Sequence, residues 1–323
     1  MKFSVITPSF KQLEWLQLCI SSVSDQTLSC EGRDFLVEHI IQDAGSSGIE
    51  DFAKKTGERL LRQYGGETLS SADPYELLSI RTSHGYELRI FKETDSGMYD
   101  AVNRGLRKAT GERLAYLNCD EQYLPGALFR ISEEFTQNPT TSVFFAGCLV
   151  INSQGALLAA RQPTPLSKAF IQTCHLPVFT ASMFFRRDWF FQKQAWFDIR
   201  LRDVADAVWV LQRIQEKTKI GGVRFFTTAF TDTGANMNLS PNARREHRNL
   251  RASAPRWMRI LRPWWIFRHR LGKLIRGDYF PRNQRYKIFA KTHIIERQSF
   301  EARRAGGIWW GRLFFREKSQ LPF

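Results

Sequence analysis

The sequence predicts an α/β protein built on a mostly parallel central sheet flanked by helices. Three observations carry this: short apolar, β-branched runs that read as buried strands, helical-period segments between them, and acidic or small polar residues wherever such a run ends. Phe3 to Ser9 is the first strand, stopping near Pro8, and Leu13, Leu16, Ile20 and Val23 then recur at helical spacing. Leu36 to Ile41 is a second strand that runs into the polar turn 42–48, so Asp43 stands at a strand end. Residues 65 to 87, with Gly65-Gly66 and Asp73-Pro74, read as an insertion and surface excursion before a strand at Leu88 to Phe91. A helix is expected from Ala101 to Ala109 with Thr110-Gly111 as its C-cap, and then a strand over Leu114 to Leu117 that delivers Asp120 and Glu121 at its carboxyl end.

Right-handed crossovers in such a sheet gather the carboxyl ends of the strands into one crevice, where open α/β sheets bind ligands. Thr7, Asp43 and Asp120 should therefore meet. Adjacent carboxylates after a buried strand have no packing reason to exist, and they invite a hard divalent cation such as Mg²⁺ or Mn²⁺, which takes carboxylate oxygens together with the phosphates of a substrate. Asp95 and Asp100 have plainer readings as a turn former and a helix N-cap. For Asp100 the capping reading is preferred.

The motifs Thr7-Pro8-Ser9, Gln42-Asp43-x-Gly45-Ser46, Asp95-x-Gly97-x-Tyr99-Asp100-Ala101-x-Asn103-x-Gly105, Ala109-Thr110-Gly111-Glu112 and Leu117-Asn118-x-Asp120 occur in this order. Together they resemble the family 2 glycosyltransferases of bacterial polysaccharide synthesis, including those of the colanic-acid type. The resemblance is sharp to about residue 125 and fainter to about residue 215. It implies a GT-A type nucleotide-binding fold and transfer of a sugar, with inversion, from a nucleoside diphosphate sugar (a UDP- or GDP-sugar) to a hydroxyl of a saccharide or lipid-linked saccharide acceptor. It also implies that Thr7, Pro8 and Asp43 line the pocket for the base, that Asp95 and Asn103 belong to the donor site, and that Asp120 holds the cation. Glu121 stands where such enzymes usually have a second Asp, which makes it the less certain metal ligand. Ala44, in place of the usual Gly, is a further departure.

The stretch from His175 through Thr180 to Arg187, then Trp196-Phe197-Asp198 and Ala205-Asp206, resembles the acceptor half of the same family. An inverting transfer needs a carboxylate to take the acceptor proton. Asp206 is the expected base by its position in that motif; Asp203, three residues earlier, is the alternative. His175 reads more naturally as a packed histidine.

The charge is concentrated at one end. From Ser240 to Phe323 there are 21 Lys and Arg against 5 Asp and Glu, whereas the first 239 residues hold 26 against 27. The catalytic domain is accordingly expected over 1–235, with a donor half to about 125 and an acceptor half from about 126 to 235. A basic, aromatic-rich helical appendage is expected over 236–323. Within it Trp257, Ile260, Leu261, Trp264, Phe267, Leu271 and Leu274 fall near helical spacing among arginines, and Pro263 must kink or restart the helix. The run is too short and too charged to span a bilayer, and it fits a helix lying in an anionic membrane surface. Gly277-Asp278-Tyr279, Tyr286 and the residues after them are expected to continue as a folded, helical part. The bunching of Trp264-Trp265 and Trp309-Trp310 argues against a nucleic-acid groove.

The first residues read as a core strand and not as a leader, so a cytoplasmic location is expected, peripheral on the cytoplasmic face of the membrane. Cys19, Cys30, Cys119, Cys148 and Cys174 lack metal-binding spacing and are expected as reduced packing thiols. Two other classes share parts of the pattern. A nucleotidyltransferase should show a Gly-rich phosphate loop after its first strand, and Thr7-Pro8-Ser9-Phe10-Lys11 is not one. A catalytically degenerate glycosyltransferase-fold scaffold at the membrane would accommodate Glu121 and the altered turn after Asp43.

Overall fold

In the computed structural model, residues 1–28, 35–234 and 240–308 are described. The chain opens with β1 (Lys2–Ser9), α1 (Leu13–Ser24), β2 (Leu36–Asp43) and α2 (Ile49–Tyr64). β3 (Gly66–Thr68), β4 (Glu76–Thr82), β5 (Tyr86–Lys92), α3 (Met98–Lys108), β6 (Arg113–Tyr116) and β7 (Glu121–Tyr123) complete the amino-terminal half. There follow α4 (Ala127–Gln137), β8 (Val143–Asn152), β9 (Leu157–Arg161), α5 (Lys168–Thr173), β10 (Met183–Arg186), α6 (Arg187–Gln192), α7 (Ala205–Gln215) and β11 (Ile220–Asp232).

Among the described residues these strands form one sheet in the order β3-β4-β5-β2-β1-β6-β10-β8-β11-β7, with β9 paired to β8. Its centre, β5-β2-β1-β6, is parallel, and antiparallel strands extend it on both sides. The register sets Ser9 beside Asp43, Asp43 beside Lys92 and Ile6 beside Tyr116. The ends of β1, β2, β5 and β6 therefore share one edge, as the alternating pattern predicts.

β1 and β2 are buried almost throughout, which is the condition of a parallel strand covered on both faces. One face packs on α1, and α3 covers the other. Gly105 makes that second contact possible: a Cβ there would sit 2.5 Å from Ile6 Cγ2. The Ala109-Thr110-Gly111 segment is fastened by Glu38 of β2, a buried carboxylate that accepts from Thr110 N (2.8 Å) and Thr110 Oγ1 (2.9 Å).

Residues 65–87 depart from the expected surface excursion. They supply β3, β4 and the start of β5, which extend the sheet by antiparallel pairing. Tyr86 is fully buried and its hydroxyl bonds His39 Nδ1 at 2.9 Å, so the segment enters the core. Its polar composition masks this because β3 and β4 lie at the sheet's rim, where β3 is exposed throughout and β4 is buried at only three positions.

The carboxyl-terminal region begins as expected with helices α8 (Pro241–Ala252), α9 (Arg256–Ile260) and α10 (Arg262–Ile275). Pro263 occupies the first turn of α10, where its missing N–H costs nothing, and so restarts the helix. The helical expectation fails after Gly277. There the chain forms an antiparallel hairpin, β12 (Arg282–Ala290) and β13 (His293–Ala305). Tyr286 and Ile288 are buried there and Phe300 packs against their cluster, among many exposed polar residues. The hairpin is tied to the main body by Arg297, which pairs with Asp25, and by Gln122, whose amide exchanges hydrogen bonds with Phe289 N and O. Cys30 and the Trp309-Trp310 pair lie outside the described residues.

Candidate active site

The shared sheet edge gathers the amino-terminal acids. The turn from β6 to β7 is shaped by Glu121, whose Oε2 accepts from Asn118 N at 2.8 Å. Glu121 is 2% exposed and supports this turn. Asp120 stays partly accessible. Burial pushes both carboxyls up, and Glu121 is raised further by the charge of Asp120.

The adjoining surface is built from the other strand ends. Cys119 Sγ donates to Pro8 O at 3.0 Å, joining this turn to the end of β1. Asp43 is fully buried; Gly45 N (2.9 Å) and Ser46 N (2.6 Å) donate to its Oδ1, and Ser46 Oγ donates to Oδ2 (2.7 Å). The carboxylate is therefore first the organiser of its own turn. Asp95 follows β5 and caps Gly97 N at 2.9 Å, and burial, with the nearby charges of Asp100 and Asp43, raises its carboxyl. Asp100 binds Ser96 N and Arg104, a capping role as expected.

Two donor-site expectations are corrected. The Thr7 hydroxyl is buried and bonded to His39 Nε2 at 2.9 Å, so this side chain belongs to a Thr7–His39–Tyr86 core chain. His39 is held neutral there, its pKa pushed down to about 3 by burial. Asn103 is 2% exposed, and its amide is used at both ends by the backbone of Phe197. It joins α3 to the segment at Phe197.

The acceptor half is positioned through Phe197. Its ring stacks on Tyr99 (5.6 Å) and Trp209 (5.5 Å) and meets the edge of Tyr116 (5.5 Å). Asp206 lies in the first turn of α7 against this cluster; its N–H reaches Tyr99 Oη at 3.4 Å and its Oδ1 accepts from Ala207 N at 2.7 Å. Burial pushes the Asp206 carboxyl up to about 6, and the neighbouring charge of Asp203 adds to this. Tyr116, which ends β6, feels the charges of both Asp206 and Glu121.

Asp203 faces elsewhere. Its Oδ1 accepts from Ser240 Oγ at 3.3 Å and its Oδ2 from Asn242 Nδ2, so the alternative base serves instead to dock α8. Sequence reasoning missed Glu246 on that helix. Its carboxylate accepts from Arg202 N (3.0 Å), Asp203 N (2.9 Å) and Val204 N (3.1 Å), the three amides that lead into α7. An acid among the arginines of 244–251 was the available signal. A cavity of about 590 Å³ opens here, lined by Arg200, Arg202, Asp203, Asn242, Arg245 and Glu246. His175 is packed between Phe170 and His269, and burial lowers its pKa to about 4, in keeping with a packed residue.

A divalent cation finds hard oxygen donors at the β6–β7 turn. Besides the Asp120 carboxylate, Asn118 Oδ1 is buried there without a hydrogen-bond partner, an arrangement that an oxygen-seeking ion would satisfy. Among the described residues no cluster of three or more His, Cys, Asp or Glu side chains is set to hold a metal by itself. A cation at Asp120 would rely on substrate oxygens for the rest of its shell.

Comparison with known proteins agrees with this architecture. Residues 68–196 match the family model described as glycosyl transferase family 2. This part of the chain is thus similar to the family 2 glycosyltransferases that the motifs resemble. The curated relatives include the PGL/p-HBAD biosynthesis glycosyltransferases of Mycobacterium tuberculosis and Mycobacterium bovis, each 30% identical over 131 residues. That match spans 40% of this chain and 40% of the relatives' own length. Among solved structures, S. aureus TarS 1–349 in complex with UDP-GlcNAc aligns at 13% identity with a TM-score of 0.46, covering 74% of this chain and 61% of that one. The mannosyltransferase PcManGT from Pyrobaculum calidifontis, in complex with GDP-Man and Mn²⁺, aligns at 13% identity with a TM-score of 0.48, covering 85% and 74%. Asp206 lies beyond the matched segment 68–196.

Proposed function

We propose that this protein is an inverting glycosyltransferase that moves a sugar from a UDP- or GDP-sugar to a hydroxyl of a saccharide or lipid-linked saccharide, in the synthesis of a cell-surface glycan at the cytoplasmic face of the membrane. The observation that carries the reading is the set of acids, Asp43, Asp95 and Asp120, that follow the parallel strands at one shared edge of the sheet. Asp120 sits in the turn at the sheet's carboxyl edge, and Asp206 opens α7 on the aromatic cluster.

In this reading the strand ends at Pro8, Asp43 and Asp95 form the donor side of the crevice. Asp43 acts by holding its turn. A Mg²⁺ or Mn²⁺ ion held by Asp120 and Asn118 Oδ1 would supply positive charge to the leaving diphosphate. Asp206, raised to about 6, is ionised at neutral pH and sufficiently basic to accept the proton of the attacking hydroxyl. Its carboxylate is aimed by the Ala207 N–H and by the Tyr99 contact at the start of α7. The cavity bordered by Asp203 and Glu246 lies at the entry to α7 and suits a polar acceptor.

Release of UDP or GDP from a panel of nucleotide sugars, with and without Mn²⁺, tests the activity, and the anomeric configuration of the product tests inversion. Cation-dependent release that disappears in Asp206→Asn is the expected result. A folded protein that releases neither nucleotide from any donor would favour the degenerate scaffold.

A further inference from the structure

The helices α9 and α10 carry the densest exposed apolar surface of the described residues. Nine of the seventeen large hydrophobic side chains with high exposure lie between Trp257 and Phe280. On α10 the two faces separate cleanly. His269 and Lys273 turn inward, with His269 stacked on Phe170 at 4.1 Å, and Lys273 only 4% exposed beside Tyr279. Trp264, Phe267, Leu271 and Leu274 turn outward with 40–54% of their surface exposed. Trp257 and Ile260 of α9 continue the stripe, Ile260 at 71%.

Such a stripe needs an occupant, because contiguous apolar patches of this kind are rare on a surface that faces only water. Its charge environment selects one. Residues 241–276, which span α8 to α10, contain eleven Lys and Arg and a single acid, Glu246. Arg256, Arg259, Arg268 and Arg270 are exposed among the apolar residues. Apolar side chains flanked by arginines on one helical face match the interface of an anionic bilayer, where the rings enter the acyl boundary and the guanidinium groups meet phosphates. No helix among the described residues is long and apolar enough to cross a membrane, so the element lies on the surface.

We propose that α9 and α10 are a membrane-docking element that inserts the Trp257–Ile260–Trp264–Phe267–Leu271 stripe into the headgroup region of an anionic bilayer. This deepens the lipid-linked half of the functional reading and names the surface that would bring it about. The mount is rigid. Through His269 the helix rests on Phe170 of α5, Phe170 contacts His175 at 5.0 Å, and the chain then runs directly to Thr180 beside Tyr116. Docking would therefore fix the acceptor side of the candidate site with respect to the bilayer.

The test is flotation of the full-length protein with vesicles of phosphatidylcholine alone or with 30% (about one lipid in three) phosphatidylglycerol, at low and high salt. The proposal expects binding to the anionic vesicles, weakening with salt, and a loss of roughly tenfold or more in Trp264→Ser/Phe267→Ser. Arg268→Ser/Arg270→Ser should reduce the preference for anionic lipid while leaving residual binding. UDP and GDP titrations on the same variants separate this from the catalytic reading: intact nucleotide binding with lost flotation supports docking and leaves the enzyme standing. Flotation equal in the apolar double variant and the parent overturns the proposal. So does absence of vesicle binding together with a sedimenting dimer that the same two substitutions dissociate, since the stripe would then belong to a second copy of the chain.

Discussion

Asn103 and Phe197 exchange two hydrogen bonds across 94 residues of sequence: Asn103 Nδ2 donates to Phe197 O at 2.8 Å, and Phe197 N donates to Asn103 Oδ1 at 3.1 Å. The pair fastens α3, which belongs to the donor half, to the segment that carries the aromatic platform under Asp206. Asn103→Ala leaves both backbone groups of Phe197 without partners in a buried place, so a loss of about 2–3 kcal/mol in unfolding free energy is expected by denaturant titration. Nucleotide affinity per folded molecule should be unchanged. A selective loss of nucleotide binding without destabilisation would restore Asn103 to the donor site.

Asp206 gives a pH signature. As a base with a pKa near 6, it should make turnover fall as pH drops through about 6, and Asp206→Asn should lower kcat by roughly 10²–10⁴ while leaving nucleotide binding intact. The stability effect has the opposite sign from that of a paired carboxylate. The folded protein holds the proton more tightly than the unfolded chain, so the favourable contribution is complete below the unfolded pKa of about 4 and is lost as pH rises through about 6. Asp206→Asn is therefore expected to stabilise the protein at pH 7–8, by up to about 2 kcal/mol, with the gain vanishing in acid. Thermal unfolding at both pH values reads this directly.

Glu246 should behave as a positioning residue. Burial raises its carboxyl, but the N–H groups of Arg202, Asp203 and Val204 and the Asn242 amide outweigh this and hold it below the ordinary value. Its stabilisation is present above the unfolded pKa and lost as pH falls through the folded one. Glu246→Ala should cost about 1–3 kcal/mol and reduce kcat with little change in nucleotide KM, because it loosens the entry to α7 and not the donor crevice. Glu246→Gln, which keeps the acceptor oxygen, should recover part of both losses.

Gly105→Ala probes the packing that sets the sheet edge. The new methyl would meet Ile6 of β1 inside van der Waals distance, and overpacking of this kind costs about 1–3 kcal/mol. Unfolding measurements should show that loss, and the companion Ile6→Ala, which removes the Cγ2 and Cγ1 atoms the methyl would meet, should cost less in the Gly105→Ala background than in the parent.

The parallel centre and its acidic edge were legible because buried strands write continuous apolar runs and their ends write polar ones. β1, β2 and β6 did so, and Asp43, Asp95 and Asp120 all fall at that edge. What the sequence conceals is direction. Thr7 and Glu121 sit at the expected positions, but their side chains turn into the core, where His39 and the Asn118 amide receive them. Asn103 looked like a ligand contact because an amide can serve a substrate or a backbone equally well. The hairpin β12–β13 was hidden because its burial is irregular, with only Tyr286, Ile288 and Phe289 buried among many exposed polar residues. Glu246 is a long-range partner, and its role arises only when α8 folds back onto residues 202–204.

The central claim is that Asp120 anchors a cation-dependent nucleotide site at the end of β6. Calorimetric titration of UDP and of GDP into the parent protein and Asp120→Ala, each with and without Mn²⁺, tests it most directly. The account predicts that one nucleotide binds the parent only when the ion is present, and that the variant, folded by circular dichroism, binds at least tenfold more weakly. Equal binding by parent and variant, or nucleotide binding indifferent to Mn²⁺, would contradict it.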